Sequence, residues 1–287
     1  MGAGRARGPR VPPRFVSETH KAGRSAGVRE RAPTAPVVVA GAAAALFALP
    51  LAGLLWKAPW SKAWPALTSE EAGQALRLSL VTSVSATALA LALGVPLAWV
   101  QARVEYRGRS LVRALTTLPM VLPPVVGGTA LLLALGRRGL VGPQLDRVGV
   151  HLPFSTAGAV LAEAFVAMPF LVLTVEAGLR TSDRGLEEAA RTLGAGRWAV
   201  FRSVTLPLVR PSLLAGGVLC WARALGEFGA TITFAGNLQG KTQTLPLFVY
   251  VKLESSDPGS AIVLSLVLLA VSLAVLASLR DRWLRAL

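Results

Sequence analysis

Long uninterrupted apolar runs dominate this chain, rather than a short-period alternation of apolar and polar positions. Windows without charge extend from Ala32 to Trp56, Leu78 to Ala102, Ala114 to Gly136 and Pro258 to Leu279. Two more are nearly free of charge: about Thr156 to Leu179, holding Glu163 and Glu176, and about Ser212 to Phe234, holding Arg223 and Glu227. A bilayer core of about 30 Å needs roughly 20 apolar residues of helix, so the pattern predicts six spans and an all-α membrane protein. The second span carries Ser79, Ser83, Ala86 and Ala90 on successive turns, a surface suited to close helix contact. The third contains Pro119, Pro123, Pro124, Gly127 and Gly128, which predicts a kinked or broken helix. Such backbone survives in a bilayer only when buried in protein or beside a watery path.

Composition agrees with the pattern. Of 287 residues, 53% are hydrophobic and 16% charged, against about 25% charged in a typical soluble domain. A net charge of +15 would point to nucleic acid in a soluble protein, but its placement says otherwise. With six spans, the tails and loops put 21 Lys and Arg on one side of the membrane and eight on the other. By the positive-inside rule both termini are cytoplasmic, and the charge is read as topology, with no nucleic-acid partner. Residues 1–35 are expected to form a disordered basic cytoplasmic arm beside anionic membrane lipid, or to dock a partner. Residues 36–287 form the transmembrane domain. Cys220 reads as a small buried apolar residue. Neither His20 nor His151 has a metal-ligand partner at useful spacing, so no metal and no cofactor are expected.

The largest internal loop on the basic side covers 181–210. Asp183 is placed as an N-cap, and Glu187 and Glu188 follow in the first helical turn, where carboxylates complement the helix dipole. Ala189, Ala190 and Leu193 then give a face of small and apolar side chains. Gly194 stands where a C-cap glycine belongs. A second helical stretch, Arg197 to Val204, leads to Pro207 and Pro211, which are expected to break the chain before the fifth span. This arrangement predicts a short helix pair whose small-residue face lets another protein approach closely.

Glu188-Ala189-Ala190, then Gly194 after three intervening residues, and Val204-Thr205-Leu206-Pro207 after nine more resemble the EAA loop of binding-protein-dependent ABC importer permeases. Val204 stands where isoleucine is commoner. The likeness covers about residues 65–280. Arg223-Ala224-Leu225-Gly226-Glu227-Phe228-Gly229, Thr242-Gln243-Thr244-Leu245-Pro246, Leu122-Pro123-Pro124 and Gly136-Arg137-Arg138-Gly139-Leu140 resemble the molybdate branch of that family. Sulfate permeases share a similar stretch around Arg223 and Glu227. The resemblance implies a type I importer permease (MetI-like) fold in a bacterial plasma membrane. It implies a homodimer working with two ATP-binding subunits and an extracytoplasmic molybdate-binding protein. It assigns coupling to the ATPase to Glu188, Ala189, Ala190, Gly194, Leu206 and Pro207, and leaves this chain no catalytic site of its own. A sulfate, thiosulfate or tungstate permease is the nearest alternative. An ATPase-independent carrier or channel is the more distant one.

Arg223 and Glu227 are four residues apart, so on a continuous helix they share a face and neutralise each other inside the bilayer. Two roles stay open for the pair, an interhelical clamp or an influence on a passing dianion. Ala235 to Thr242 fits a relaxed P-loop pattern ending in Gly240-Lys241-Thr242. A true P-loop follows a strand and opens a helix, whereas this stretch follows a membrane span and lacks the first glycine.

Overall fold

The computed structural model describes residues 34–255 and 257–283, and among them there are helices and connecting loops but no strand. In chain order the helices are α1 (Thr34–Lys57), α2 (Trp60–Thr68), α3 (Glu70–Arg103), α4 (Arg109–Val121), α5 (Pro124–Leu135), α6 (Gly142–Arg147) and α7 (Thr156–Thr181). They continue as α8 (Arg184–Thr192), α9 (Arg197–Val200), a π-helical turn (Phe201–Thr205), α10 (Leu206–Leu225), α11 (Gly229–Phe234), α12 (Leu245–Glu254) and α13 (Pro258–Trp283). The expected arm lies outside the described residues as far as residue 33. Helix α1, taken by itself, is apolar and exposed along almost its whole length, the all-round hydrophobicity of a membrane span.

Among the described residues, five helical stretches are long and apolar enough to cross a membrane: Ala35–Lys57, Glu70–Arg103, Thr156–Thr181, Arg197–Leu225 and Pro258–Val275. The remaining window, 114–136, is divided. Helix α4 stops at Val121, and Leu122 and Pro123 are extended at ψ 135° and 131° before Pro124 opens α5. A residue preceding proline is pushed out of the helical region, and here two successive residues precede one. Helix α5 has 12 residues, about 18 Å at the usual rise, so it completes a crossing only together with α4.

The bundle is centred on α7, which packs along both α3 and α10. Buried positions of α3 recur every three or four residues: Ala72, Ala75, Ser79, Thr82, Ser83, Ala86, Ala90, Gly94 and Ala98. The four small positions read from the sequence all lie on this stripe. Ala86 and Ala90 share one core with Ala164, Ala167, Leu171, Val172, Val175 and Cys220, while Ser79 accepts the Leu245 N–H at 2.6 Å and Ser83 accepts from the Trp221 indole N–H at 3.0 Å. Close approach carries this packing, as van der Waals contact between small residues must in lipid. A Cβ on Gly94 would come within 3.1 Å of Val172 and 3.2 Å of Met168.

A second close contact joins α5 to α11. A Cβ at Gly128 would lie 2.8 Å from both the Ala230 carbonyl oxygen and Thr233 Cβ, and one at Gly229 would lie 2.9 Å from Pro124. Neither neighbour is a flexible side-chain end. Gly128→Ala is therefore expected to cost about 1–3 kcal/mol by overpacking, read as a lower melting temperature of the detergent-solubilised protein. Gly73 is exposed on α3 with open space at its Cβ. Gly73→Ala should leave the melting temperature unchanged or raise it, by up to about 1 kcal/mol of stability. Equal effects of the two changes would contradict this packing.

Candidate functional site

Two polar constellations stand out against the apolar bundle. The first lies where α3 and α7 end and the loop helices begin. Ser182 closes α7, its N–H donating to the Gly178 carbonyl at 3.1 Å and its hydroxyl to Leu179 O at 2.9 Å. Asp183 then accepts from the Gly185 N–H at 2.8 Å and caps α8. Helix α8 ends in a complete Schellman motif. Gly194, at φ +88°, donates to Arg191 O at 2.9 Å, and Ala195 donates to Ala190 O at 3.0 Å.

Glu187 is the anchor of this end. It is buried, and its Oε1 accepts from Arg103 at 3.0 Å and from the Thr205 hydroxyl at 3.0 Å. Arg191 lies 3.8 Å from its second oxygen. Arg103 also donates to the Ser182 hydroxyl at 2.7 Å. One carboxylate thus joins α3, the cap of α7, α8 and the π-helical turn. The next residue, Glu188, is exposed, as are Ala189 and Gly194, while Ala190 is half-buried. Around them Leu186, Leu193 and Trp198 expose large apolar side chains, and Trp198 stacks on Phe201 at 5.5 Å. Exposed apolar groups gathered on one loop mark an interaction surface.

Leu206 and Pro207 do not form a break. Helix continues from Arg197 through the π-helical turn to Leu225. The Leu206 N–H reaches back five residues to Phe201 O, so the ladder has already widened where Pro207 lacks its N–H. Single π turns of this kind recur at functional sites. Pro211 lies inside α10.

The second constellation lies within the bundle. Arg223 and Glu227 form an ion pair at 2.6 Å, but they do not share a continuous helix. Helix α10 ends at Leu225 with Gly226 as its cap, and Glu227 lies beyond it. The fifth crossing expected over 212–234 is therefore two helices, α10 and α11. Glu227 is buried, and its Oε1 accepts the Ala230 N–H at 2.8 Å, supplying an acceptor at the start of α11. The pair bridges a helix break. Elsewhere on α7, Glu163 accepts from the Thr82 hydroxyl at 2.8 Å. Glu176 is met by Arg113 and, at 2.8 Å, by Arg180.

Among the residues that sequence reasoning left unassigned, Glu187 and Arg103 matter most. From the sequence alone, Glu187 complements the helix dipole and Arg103 counts only as topological charge. The stretch Ala235 to Thr242 follows the six-residue helix α11 and turns back on itself, the Thr242 hydroxyl accepting from Leu238 N–H at 2.8 Å. No strand precedes it among the described residues.

Comparison with known proteins adds the following. Residues 90–286 match the model of the family described as "binding-protein-dependent transport system inner membrane component". The chain is 46% identical over 235 residues to the molybdenum transport system permease protein ModB of Mycobacterium tuberculosis, covering 82% of this chain and 89% of that one. It is 36% identical over 234 residues to the sulfate transport system permease protein CysT of Escherichia coli, covering 80% and 84%. A chain of a bacterial alginate ABC transporter crystal structure superposes with a TM-score of 0.70 at 17% identity, covering 86% of this chain and 92% of that one. That likeness is one of fold.

Removing Glu187 leaves the Arg103 guanidinium, whose side chain is 8% exposed, without its carboxylate. Glu187→Ala should destabilise the protein by about 3–5 kcal/mol, the usual cost of orphaning a buried charge, and should open residues 182–205 to limited proteolysis. Glu188→Ala, one residue on, should change neither reading.

Proposed function

The chain belongs to the inner-membrane components of binding-protein-dependent transport systems, and from that membership we propose that it is the permease subunit of an ATP-driven molybdate importer. The observation that carries the reading is α8. Its exposed Glu188 and Ala189, its half-buried Ala190 and its glycine-closed end at Gly194 stand clear of the spans while Glu187 fastens the same helix to them. A rigid helix held in this way can receive a push from another protein and pass it to α3 and α10. Identity favours molybdate over sulfate, at 46% against 36% over similar lengths.

In this reading the crossings number six, with α4 and α5 together as the third. Both termini and residues 181–210 face the cytoplasm, and residues 1–35 form a basic arm before the transmembrane domain at 36–287. Two copies of the chain pair, and each presents α8 to one of two separate ATP-binding subunits. ATP-driven closure of those subunits draws the two α8 helices together and opens the pathway outward to an ion delivered by an extracytoplasmic binding protein. Hydrolysis in the partner returns it inward. Leu206 and Pro207, at the exposed start of α10, carry the displacement into that span. Arg223 and Glu227 hold the α10–α11 break in shape beside the path. A neutral pair suits that place, because tight capture of a dianion there would oppose its release.

Ala190 discriminates the reading from a carrier or channel needing no ATPase. Ala190→Arg puts a long cation into the small-residue face. In proteoliposomes with the ATPase subunits and the binding protein, it should lower molybdate uptake more than tenfold while ATP hydrolysis persists. Unchanged uptake, or transport by this chain alone without any ATPase, would sink the proposal. Retention of sulfate rather than molybdate by the cognate binding protein would move the assignment to the sulfate branch.

A further inference from the structure

At the end of the bundle opposite α8, a cavity of about 800 Å³ opens between the end of α5, the loop before α7 and the loop after α11. Its floor is apolar, from Leu132, Leu133, Pro153 and Phe154, and it also carries the cations Arg137, Arg138 and Lys241. Among the described residues these three have no carboxylate within ion-pair distance. The acidic group beside this site, Asp146, lies 2.6 Å from the ring of His151, which also lines the cavity. Arg103, Arg113, Arg180, Arg191 and Arg223 each meet a glutamate; Arg137, Arg138 and Lys241 differ from other cations without one, such as Arg202 and Arg210, in lining a single cavity.

The cations are held on a fixed frame. After α5 the chain folds back, Leu140 donating to Leu133 O at 3.1 Å and Val141 to Ala134 O at 2.9 Å, which fixes the turn bearing Arg137 and Arg138. A Cβ at Gly142 would fall 1.7 Å from Gly136 O, so only glycine closes this turn. The Lys241 carbonyl accepts from the Thr156 hydroxyl at 2.8 Å. Phe154 takes a left-handed conformation, φ +58°, rare for a large side chain, and its ring would lie 2.8 Å from a Cβ on Gly236. The loop before α7 and the loop after α11 are thereby clamped together, and the end of α5 packs beside them through Leu132 and Leu135, with Arg137, Arg138 and Lys241 exposed around the opening.

We propose that this cavity is a vestibule that concentrates tetrahedral oxyanions at the outer mouth of the transporter. The inference rests on the oxyanion and topology reading above. A cleft lined by one sign of charge with low-dielectric walls focuses the field and raises the local concentration of counter-charged solute. The cavity greatly exceeds a bare oxyanion, so the ion is held with part of its water shell, by charge rather than by fitted hydrogen bonds. Weak, exchangeable retention is what an entry site needs.

The test uses the complex of this chain with its ATPase subunits, without the binding protein, and equilibrium dialysis against sodium molybdate, with sodium sulfate as a second probe. Arg137→Gln, Arg138→Gln and Lys241→Gln combined should weaken oxyanion retention at least tenfold and flatten its dependence on ionic strength. Arg137→Lys with Arg138→Lys should keep retention within about threefold, showing that charge rather than folding was lost. Lys62→Gln, on the same side but outside the cavity, should change nothing. Equal retention by the triple variant overturns the proposal. So does a loss of binding-protein docking with retention intact, which would make the cavity a socket for an acidic protein surface. Charge alone does not separate two dianions, so the unaltered complex should retain both, and retention of one without the other would overturn the vestibule; the molybdate assignment fails separately, if the cognate binding protein retains sulfate instead. Retention of neither would overturn the vestibule alone.

Discussion

A charged side chain inside or at the edge of an apolar bundle must be met by an opposite charge or by hydrogen bonds, and the pairing of Glu187 with Arg103 is where this requirement organises the molecule. Arg103 ends the longest helix, α3, and its guanidinium has to be satisfied as the chain leaves the bundle. The satisfying carboxylate comes from α8, far along the sequence, with the Ser182 and Thr205 hydroxyls completing the cluster. A requirement of solvation thus becomes a mechanical joint. Glu187 is the buried residue of α8, so this joint, with Arg184 donating to the Ala102 carbonyl at 3.5 Å, fastens the helix to α3.

The spans themselves are shaped by backbone interruptions that packing makes good. Two prolines separate α4 from α5, and Gly226 ends α10 before α11. The segments after the breaks, α5 and α11, are too short to cross a membrane alone, and they meet through Gly128 and Gly229 at backbone distance. Each break frees polar backbone groups that lipid cannot satisfy. Glu227 answers one of them by accepting the Ala230 N–H, while Arg223 balances its charge. The ion pair and the glycine contact therefore address the same difficulty from two directions.

What could be read in the chain follows from what is local. Charge-free length marked the spans because the bilayer imposes a minimum. Ser79, Ser83, Ala86 and Ala90 betrayed a packing face because three- and four-residue spacing is a property of one helix. Gly194 betrayed a helix end because a left-handed closure favours glycine. The inward turn of Glu187 was not legible beside Glu188. Adjacent carboxylates on a helix differ by about 100° in direction, and which one is buried depends on where α3 and the π-helical turn lie. Pro207 misled for a related reason. Proline argues for a break only if the ladder around it is α-helical, and the widening at 201–205 has no residue signature. Likewise the Arg223–Glu227 spacing suggested one helix, while Gly226 between them was free to end it.

Counting charges and pairing them answer different questions. In the proposed six-span topology, the count places most cations on one side of the membrane. At that end four arginines meet a glutamate, Arg103 and Arg191 at Glu187 and Arg113 and Arg180 at Glu176, while others such as Arg202 and Arg210 are spread over the loop without one among the described residues. The opposite end has fewer cations, yet Arg137, Arg138 and Lys241 share one cavity with no carboxylate to neutralise them. A permease for an anion needs attraction where the ion enters and neutrality where it passes. In the proposed topology and pathway, an unpaired cluster outside, followed by a self-neutralised Arg223–Glu227 pair within the bundle, gives that order. An abundance of fixed positive charge along the route would instead hold the ion and slow its transfer.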